Sequence, residues 1–164
     1  MKRILSLLLC LLLLLGCNGA IGTAYRNAVF TASLPAPFEP VDNVSIVCFA
    51  PYGNPLLSSS ITFYTTELNW YFDTFSEDEY TEAVQTLCGY ESLSVDQVET
   101  CRIDGFDARR IACTVQIDQG THNLILYAVN ADRTYFFTLL NRDCDDYVAS
   151  FDEMMKTVHF TEGK

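Results

Sequence analysis

Between Leu93 and Leu140 the chain alternates apolar and polar residues through three tight turns, and this pattern constrains the fold more than any other feature. Residues 93–103 and 107–117 read as the arms of a hairpin across Asp104-Gly105, a pair that suits the positive φ of a short turn. In the second arm Ile111, Cys113, Val115 and Ile117 alternate with Arg110, Ala112, Thr114 and Gln116, so one face is buried and the other is wetter. Gln119-Gly120 turns the chain again into residues 123–131, apolar on both faces as in a central strand, and Asp132-Arg133 turns it into residues 135–140. Consecutive hairpins of this kind make an antiparallel meander.

Three shorter strands precede the meander, at residues 29–34, 45–49 and 60–67. Pro35 and Pro37 stop the first, and a loop around Pro51 to Pro55 follows the second. A helix is announced by Ser76-Glu77-Asp78-Glu79, a capping box in which Ser76 and Glu79 satisfy each other's backbone N–H groups. Phe75 and Tyr80 occupy the hydrophobic-staple positions, and Tyr80, Ala83, Val84, Leu87 and Cys88 share one face before Gly89 ends the helix. A second helix is predicted over residues 143–158, with Tyr147, Val148, Phe151, Met154, Met155 and Val158 as its apolar stripe. The order β-β-β-α-β-β-β-β-α predicts an α+β fold: an antiparallel sheet of about six or seven strands covered by two amphipathic helices, an α/β/α sandwich.

The first 27 residues are of another kind. Lys2 and Arg3 precede an apolar run from Ile4 to Leu15, too short for the ~20 residues that span a bilayer. A positive start, a short apolar core and a small residue make a secretory signal. Leu14-Leu15-Gly16-Cys17 resembles the lipobox of bacterial lipoproteins, in which the residue matching Cys17 receives a diacylglycerol and becomes the mature N-terminus. The resemblance implies a signal over 1–16, a polar tether over 17–27 and a single domain over 28–164, held outside the cytoplasm on the bacterial cell membrane by the lipid on Cys17. Plain secretion, with a cut after Ala24 and Gly22 at minus three, is the alternative.

With 21 acidic against 10 basic residues the chain carries a net charge of −11, and loss of Lys2 and Arg3 makes the remainder more acidic still. Such a surface repels phosphate backbones and anionic lipid, so nucleic acid is excluded as a partner and attachment depends on the anchor. Arg109-Arg110, the sole adjacent basic pair besides Lys2-Arg3, reads as the solvent face of a strand.

Little in the chain suggests chemistry. There is no G-x-S-x-G elbow and no Gly-rich phosphate loop. His122, opening a strand, and His159, following the last helix, read as surface residues. Asp143, Asp145 and Asp146 crowd the start of the last helix; they read as capping groups that complement its dipole, the alternative being a hard cation site. Of seven cysteines, Cys10 leaves with the signal and Cys17 is modified. Cys48, Cys88, Cys101, Cys113 and Cys144 remain, an odd number with no C-x-x-C pair and no readable connectivity. Cys113 falls on the apolar side of its strand and behaves as a small hydrophobe. No enzyme, cofactor or metal is expected.

The aromatic residues are the candidate site. Asn69-Trp70-Tyr71-Phe72 has neither strand nor helix periodicity, and Trp and Tyr are enriched where partners bind. Trp70 and Tyr71, with Tyr52 nearby, are the expected binding residues; the alternative has this loop folding back over the open edge of the sheet.

Several elements recur together in one family. An F-x-x-x-L-P element at Phe30 to Pro35, Asp78-Glu79-Tyr80 in the first helix, Ile103-Asp104-Gly105 at the hairpin, and Tyr135-Phe136-Phe137-Thr138-Leu139 before a closing amphipathic helix together resemble the PsbP-like superfamily, over residues 28–162. That superfamily includes PsbP of photosystem II, a nuclear-import factor that binds Ran, and DcrB-like bacterial lipoproteins. The resemblance implies an antiparallel sheet between helices and no reaction, since members mostly act as binding or assembly factors. The expectation is a non-enzymatic lipoprotein that binds an unknown envelope protein, with a small-ligand or cation-binding module associated with a transporter as the alternative.

Overall fold

The computed structural model describes residues 22–42, 46–54, 59–66, 70, 74–142 and 146–161. Ten strands are described: β1 (Thr23–Arg26), β2 (Phe30–Leu34), β3 (Phe38–Pro40), β4 (Val47–Pro51), β5 (Ser60–Thr66), β6 (Leu93–Ile103), β7 (Phe106–Ile117), β8 (Gly120–Asn130), β9 (Thr134–Asn141) and β10 (His159–Phe160). Helix α1 (Glu77–Cys88) lies between β5 and β6, and α2 (Val148–Lys156) between β9 and β10. Seven strands form an antiparallel sheet in the order β3-β4-β5-β9-β8-β7-β6, and three form a second sheet in the order β1-β2-β10. The fold is α+β, as the sequence predicts.

Period-two alternation sends successive side chains to opposite faces, which creates two cores. One face of the large sheet presents Ile61, Phe63, Ile125, Tyr127, Val129, Tyr135, Phe137 and Leu139. Phe151, Met154 and Met155 of α2 pack there, together with Phe30, Ala32, Leu34 and Phe160 of the small sheet. The other face presents Ile111, Cys113, Val115, Leu124, Leu126, Ala128 and Phe136 to Tyr80 and Val84 of α1. β8 lies between β7 and β9, so residues 124 to 129 are buried on both faces.

The capping box is formed. Ser76 N donates to Glu79 Oε2 at 2.7 Å, and Glu79 N to Ser76 Oγ at 3.4 Å. The N-cap hydrogen bonds hold the Glu79 carboxyl below its ordinary pKa. Phe75 and Tyr80 meet edge to face at 5.2 Å, the expected staple. Gly89 ends α1 in the left-handed region, φ 73°, and returns its N–H to Gln85 O. Asp104, φ 49°, and Gly105, φ 87°, make the β6–β7 turn.

Three expectations are corrected. β1 lies within the stretch read as tether: Thr23 to Arg26 pair with Leu34 to Thr31, and Tyr25 packs on Phe30 and Phe49. The last helix starts at Val148, where Asp146 Oδ1 accepts from Val148 N at 3.0 Å, five residues later than the predicted start at residue 143. Asp143, Cys144 and Asp145 lie outside the described residues, as does Cys17 with the whole signal. Arg110 does not face solvent. Its Nε and Nη2 donate to the two carboxylate oxygens of Asp152 on α2, at 2.9 and 3.0 Å, because the polar side of β7 at this point lies beneath the helix. β6 carries a register shift between Val95 and Gln97, so Val95 and Val98 both reach the α1 side while Cys101 and Ile103 reach the α2 side.

Candidate functional site

The two faces of the large sheet are covered unequally. The α2 face meets a helix and a second sheet, whereas among the described residues the other face meets α1, with Trp70 and Phe75 beside it. Seven strands at ~4.8 Å spacing make a face ~29 Å wide, and a helix with its side chains covers ~10–12 Å of it. Tyr80 and Val84 place α1 over the β6–β8 half. A trough is left along its other flank, floored at the far end of α1 by β5, β9 and β8.

Two hollows make up this trough and share Leu87. The first, about 410 Å³, is lined by Trp70 and Phe75 on one side and by Glu79, Glu82, Ala83, Thr86 and Leu87 on the other. The five α1 residues follow the i, i+3, i+4, i+7, i+8 spacing of a single helix stripe. The second hollow, about 340 Å³, lies at the far end of the helix. Ser60, Thr62 and Tyr64 of β5 and Thr138 and Leu140 of β9 floor it, Leu87, Cys88 and Tyr90 wall it, and half-exposed Ile46 closes its rim.

Trp70 is held at the first hollow by a ring of hydrogen bonds to the β8–β9 turn. Its N donates to Thr134 Oγ1 at 2.9 Å, Thr134 Oγ1 donates to Asn130 Oδ1 at 2.7 Å, and Asn130 Nδ2 donates to Trp70 O at 2.6 Å. The indole packs edge-on against Phe136 at 4.9 Å and against Phe75 at 5.7 Å. The residue therefore rests on an interior strand of the sheet face and not on its open edge. It is half-buried, with part of its surface in the trough.

Tyr52 does not join Trp70. It is 80% exposed and sits just beyond β4, where its N donates to Pro37 O at 3.2 Å. In the ladder that end of β4 lies beside the Ser60 end of β5, whereas Trp70 is tied to Thr134, which pairs with Thr66. The run of β5 between them, from Ser60 to Thr66, is ~20 Å long. Tyr71 lies outside the described residues. Sequence proximity missed the α1 flank and the β5–β9 floor, because their outward residues read simply as the wetter side of a strand or helix.

The groups in the trough are chemically quiet. Burial raises the Tyr64 hydroxyl and the Cys88 thiol above their ordinary pKa values, and the two approach to 3.9 Å as neutral partners. Cys113 beneath α1 is pushed up to about 12 by burial. Cys48 and Cys101 are raised as well, chiefly by burial, so none of the four described thiols is poised as a thiolate. Cys48, Cys88, Cys101 and Cys113 are all free. His159 lies on the other side of the molecule, where its Nδ1 meets Asp104 Oδ1 at 3.1 Å. His122 faces Val115 across the β7–β8 ladder. Among the described residues, no group of three His, Cys, Asp or Glu side chains could hold a metal ion. None of their helices is long and apolar enough to cross a membrane.

No protein-family model matches the chain, and no curated protein matches it in sequence. Solved structures do match. The solution structure of cyanobacterial PsbP (CyanoP) from Synechocystis sp. PCC 6803 superposes with a TM-score of 0.59 at 12% identity, over 88% of this chain and 95% of that one. LpqN, described as involved in cell envelope biogenesis of Mycobacterium tuberculosis, gives 0.54 at 11% identity over 88% and 87% of the two chains. A crystal structure from Bacteroides thetaiotaomicron VPI-5482 gives 0.55 at 11% identity, covering 87% of this chain and 50% of that one. At these identities the likeness is one of architecture, and that architecture is PsbP-like.

Proposed function

We propose that this chain is a non-enzymatic lipoprotein, anchored outside the cytoplasm through Cys17, that binds a protein at the cell envelope through the trough beside α1. The observation that carries the reading is the uneven cover of the sheet. An apolar hollow anchored by the chain's single tryptophan, Trp70, stays open beside a helix that covers less than half the width of its face. Partly exposed aromatic anchors of this kind dominate protein interfaces. The similarity to LpqN, an envelope-biogenesis protein by its description, agrees with an envelope role without assigning one.

The N-terminal strand supports cleavage before Cys17. A cut after Ala24 would divide β1 within its ladder to β2. Gly22, which that cut would use as its small residue, has a structural reason to be glycine: a Cβ there would meet Leu34 O at 2.3 Å. Cleavage before Cys17 leaves both intact. From Thr23, six residues reach at most ~20 Å to Cys17. β1 belongs to the small sheet on the α2 face, so the described chain begins on the side of the large sheet opposite the trough.

The experiment is crosslinking in intact source cells, with mass spectrometry of the recovered protein and Cys17→Ala as control. The expected result is a mature N-terminus at lipidated Cys17 and one envelope protein recovered with it, lost in the variant. An unlipidated N-terminus at Tyr25 would contradict the anchor. A lipidated protein recovered alone, carrying a small molecule, would move the function to ligand binding for a transporter.

A further inference from the structure

We infer that the trough takes a basic amphipathic helix of the partner, laid beside α1 as a second helix of the same layer. This rests on the protein-binding reading and specifies what that partner must present.

The argument begins with the backbone of the floor. β5 is paired with β4 and β9, β9 with β5 and β8, and β8 with β9 and β7. Every strand beneath the trough is interior, so its N–H and C=O groups are already spent on neighbours. A partner segment lying on this floor finds no main-chain ladder to join. An extended segment there would have no strand edge to pair with, only the scattered hydroxyls of Ser60, Thr62, Tyr64 and Thr138, and would leave most of its backbone polar groups unsatisfied, which is costly. A helix satisfies its backbone internally and needs no ladder from the floor.

Strand addition is opposed at the two edges of the large sheet. β3 has three residues and ends in Pro40. β6 is longer, but it carries the register shift at Val95/Gln97 and the charged residues Asp96, Glu99 and Arg102 along its length. Bulges, charges and proline are the usual guards of an edge strand.

Space and charge complete the fit. The face left beside α1 admits a second helix of ordinary ~10–12 Å width. From Glu79 to Cys88, α1 offers a flank ~14 Å long, enough for two to three turns of a partner helix. Trp70, Phe75, Leu87 and Leu140 supply apolar contact along that length. The rim is acidic: Glu79 and Glu82 of α1 line the first hollow, α1 carries no basic residue in its last turn, and the chain has a net charge of −11. The complementary segment bears Lys or Arg flanking its apolar stripe, which both steers and orients docking.

The test places a photo-crosslinking amino acid at Thr86, at Thr62 or, as a control beyond the trough, at Tyr52 in the full-length protein expressed in its source cells, and maps the crosslinked residues of the partner. We expect capture from Thr86 and Thr62 on one segment of the partner, at positions three or four apart with basic neighbours. Glu82→Lys combined with Thr86→Lys, which spares the capping box, should lower capture from Thr62 by about fivefold through charge repulsion. Capture at alternate residues, on an acidic segment, or on a second copy of this chain would overturn the helix while leaving protein binding in place. Capture from Tyr52 alone would overturn the trough. No capture from any of the three positions would overturn both this inference and the protein-binding reading.

Discussion

Arg110 on β7 grips Asp152 on α2 with two parallel hydrogen bonds, Nε to Oδ1 at 2.9 Å and Nη2 to Oδ2 at 3.0 Å. Tyr127 on β8 adds its hydroxyl to Asp152 Oδ1 at 2.8 Å, and Glu99 on β6 reaches Arg110 Nη1 at 3.4 Å. Three adjacent strands are thus tied to the helix through one carboxylate. The Arg110 side chain is 16% exposed and that of Asp152 29%, so the pair is partly withdrawn from water. Asp152→Ala strands a guanidinium and a hydroxyl, and should cost about 2 kcal/mol of stability in urea unfolding. The double variant Arg110→Met with Asp152→Leu should recover part of that loss. An Asp152→Ala midpoint equal to wild type would mean that apolar packing alone seats α2.

Trp70→Ala removes a half-buried indole from Phe136 and Phe75 and should cost about 2 kcal/mol. Trp70→Phe should restore most of the stability but little of the crosslinking to the envelope partner, since the hot-spot surface of the larger ring is lost. Urea midpoints and crosslink yields measured on the same two variants separate the packing role from the binding role. Full crosslinking by Trp70→Ala would remove this residue from the site.

Alkaline pH should weaken the fold through Cys113. Its thiol titrates near 9.0 unfolded and at about 12 folded. The raised folded value means that the stabilising effect is complete below pH 9.0 and is lost as pH rises toward 12. Each unit of pH in that window favours the unfolded thiolate by about 1.4 kcal/mol. Stability should therefore fall between pH 9 and pH 11, and fall less in Cys113→Ala. An identical slope in the variant would assign the alkaline loss to other groups, such as Tyr64 and Tyr127, whose hydroxyls are also raised by burial.

The β6–β7 turn clamps the end of the chain. Asp104 Oδ2 accepts from Phe160 N at 3.0 Å, while Oδ1 meets His159 Nδ1 at 3.1 Å. Asp104→Ala loses both contacts and keeps the unfavourable φ of 49°, at a cost of about 2 kcal/mol. Hydrogen exchange at Phe160 should quicken well before exchange in β8. Unchanged exchange at Phe160 would show that its side-chain packing on Tyr135 and Phe106 holds β10 without the turn.

The legible parts of this fold were those written in neighbouring residues. Ser76 with Glu79, Gly89, and Asp104-Gly105 each act within a few positions, and each sits where the sequence places it. β6 spans residues 93–103 as read. β1, β3 and β10 escaped because their partners are remote or their runs too short: His159 of β10 pairs with Thr31. Arg110 was misread for the same reason, since alternation says that a residue faces away from one core but not what covers the opposite face. In the site, Trp70 stood out by composition. Its α1 and β5–β9 neighbours did not, because hydroxyls on a strand and carboxylates on a helix read as solvent-facing until topology leaves them beside an uncovered floor.

The most direct test of the account is carbodiimide labelling of carboxylates in intact cells, compared with the purified protein. Glu82 lies on the trough, and Glu91 is an exposed residue off it. If a partner occupies the trough, labelling of Glu82 falls in cells relative to Glu91, and recovers once the protein is purified. Equal labelling of Glu82 in cells and in purified protein, with protection elsewhere on the surface, would contradict the account.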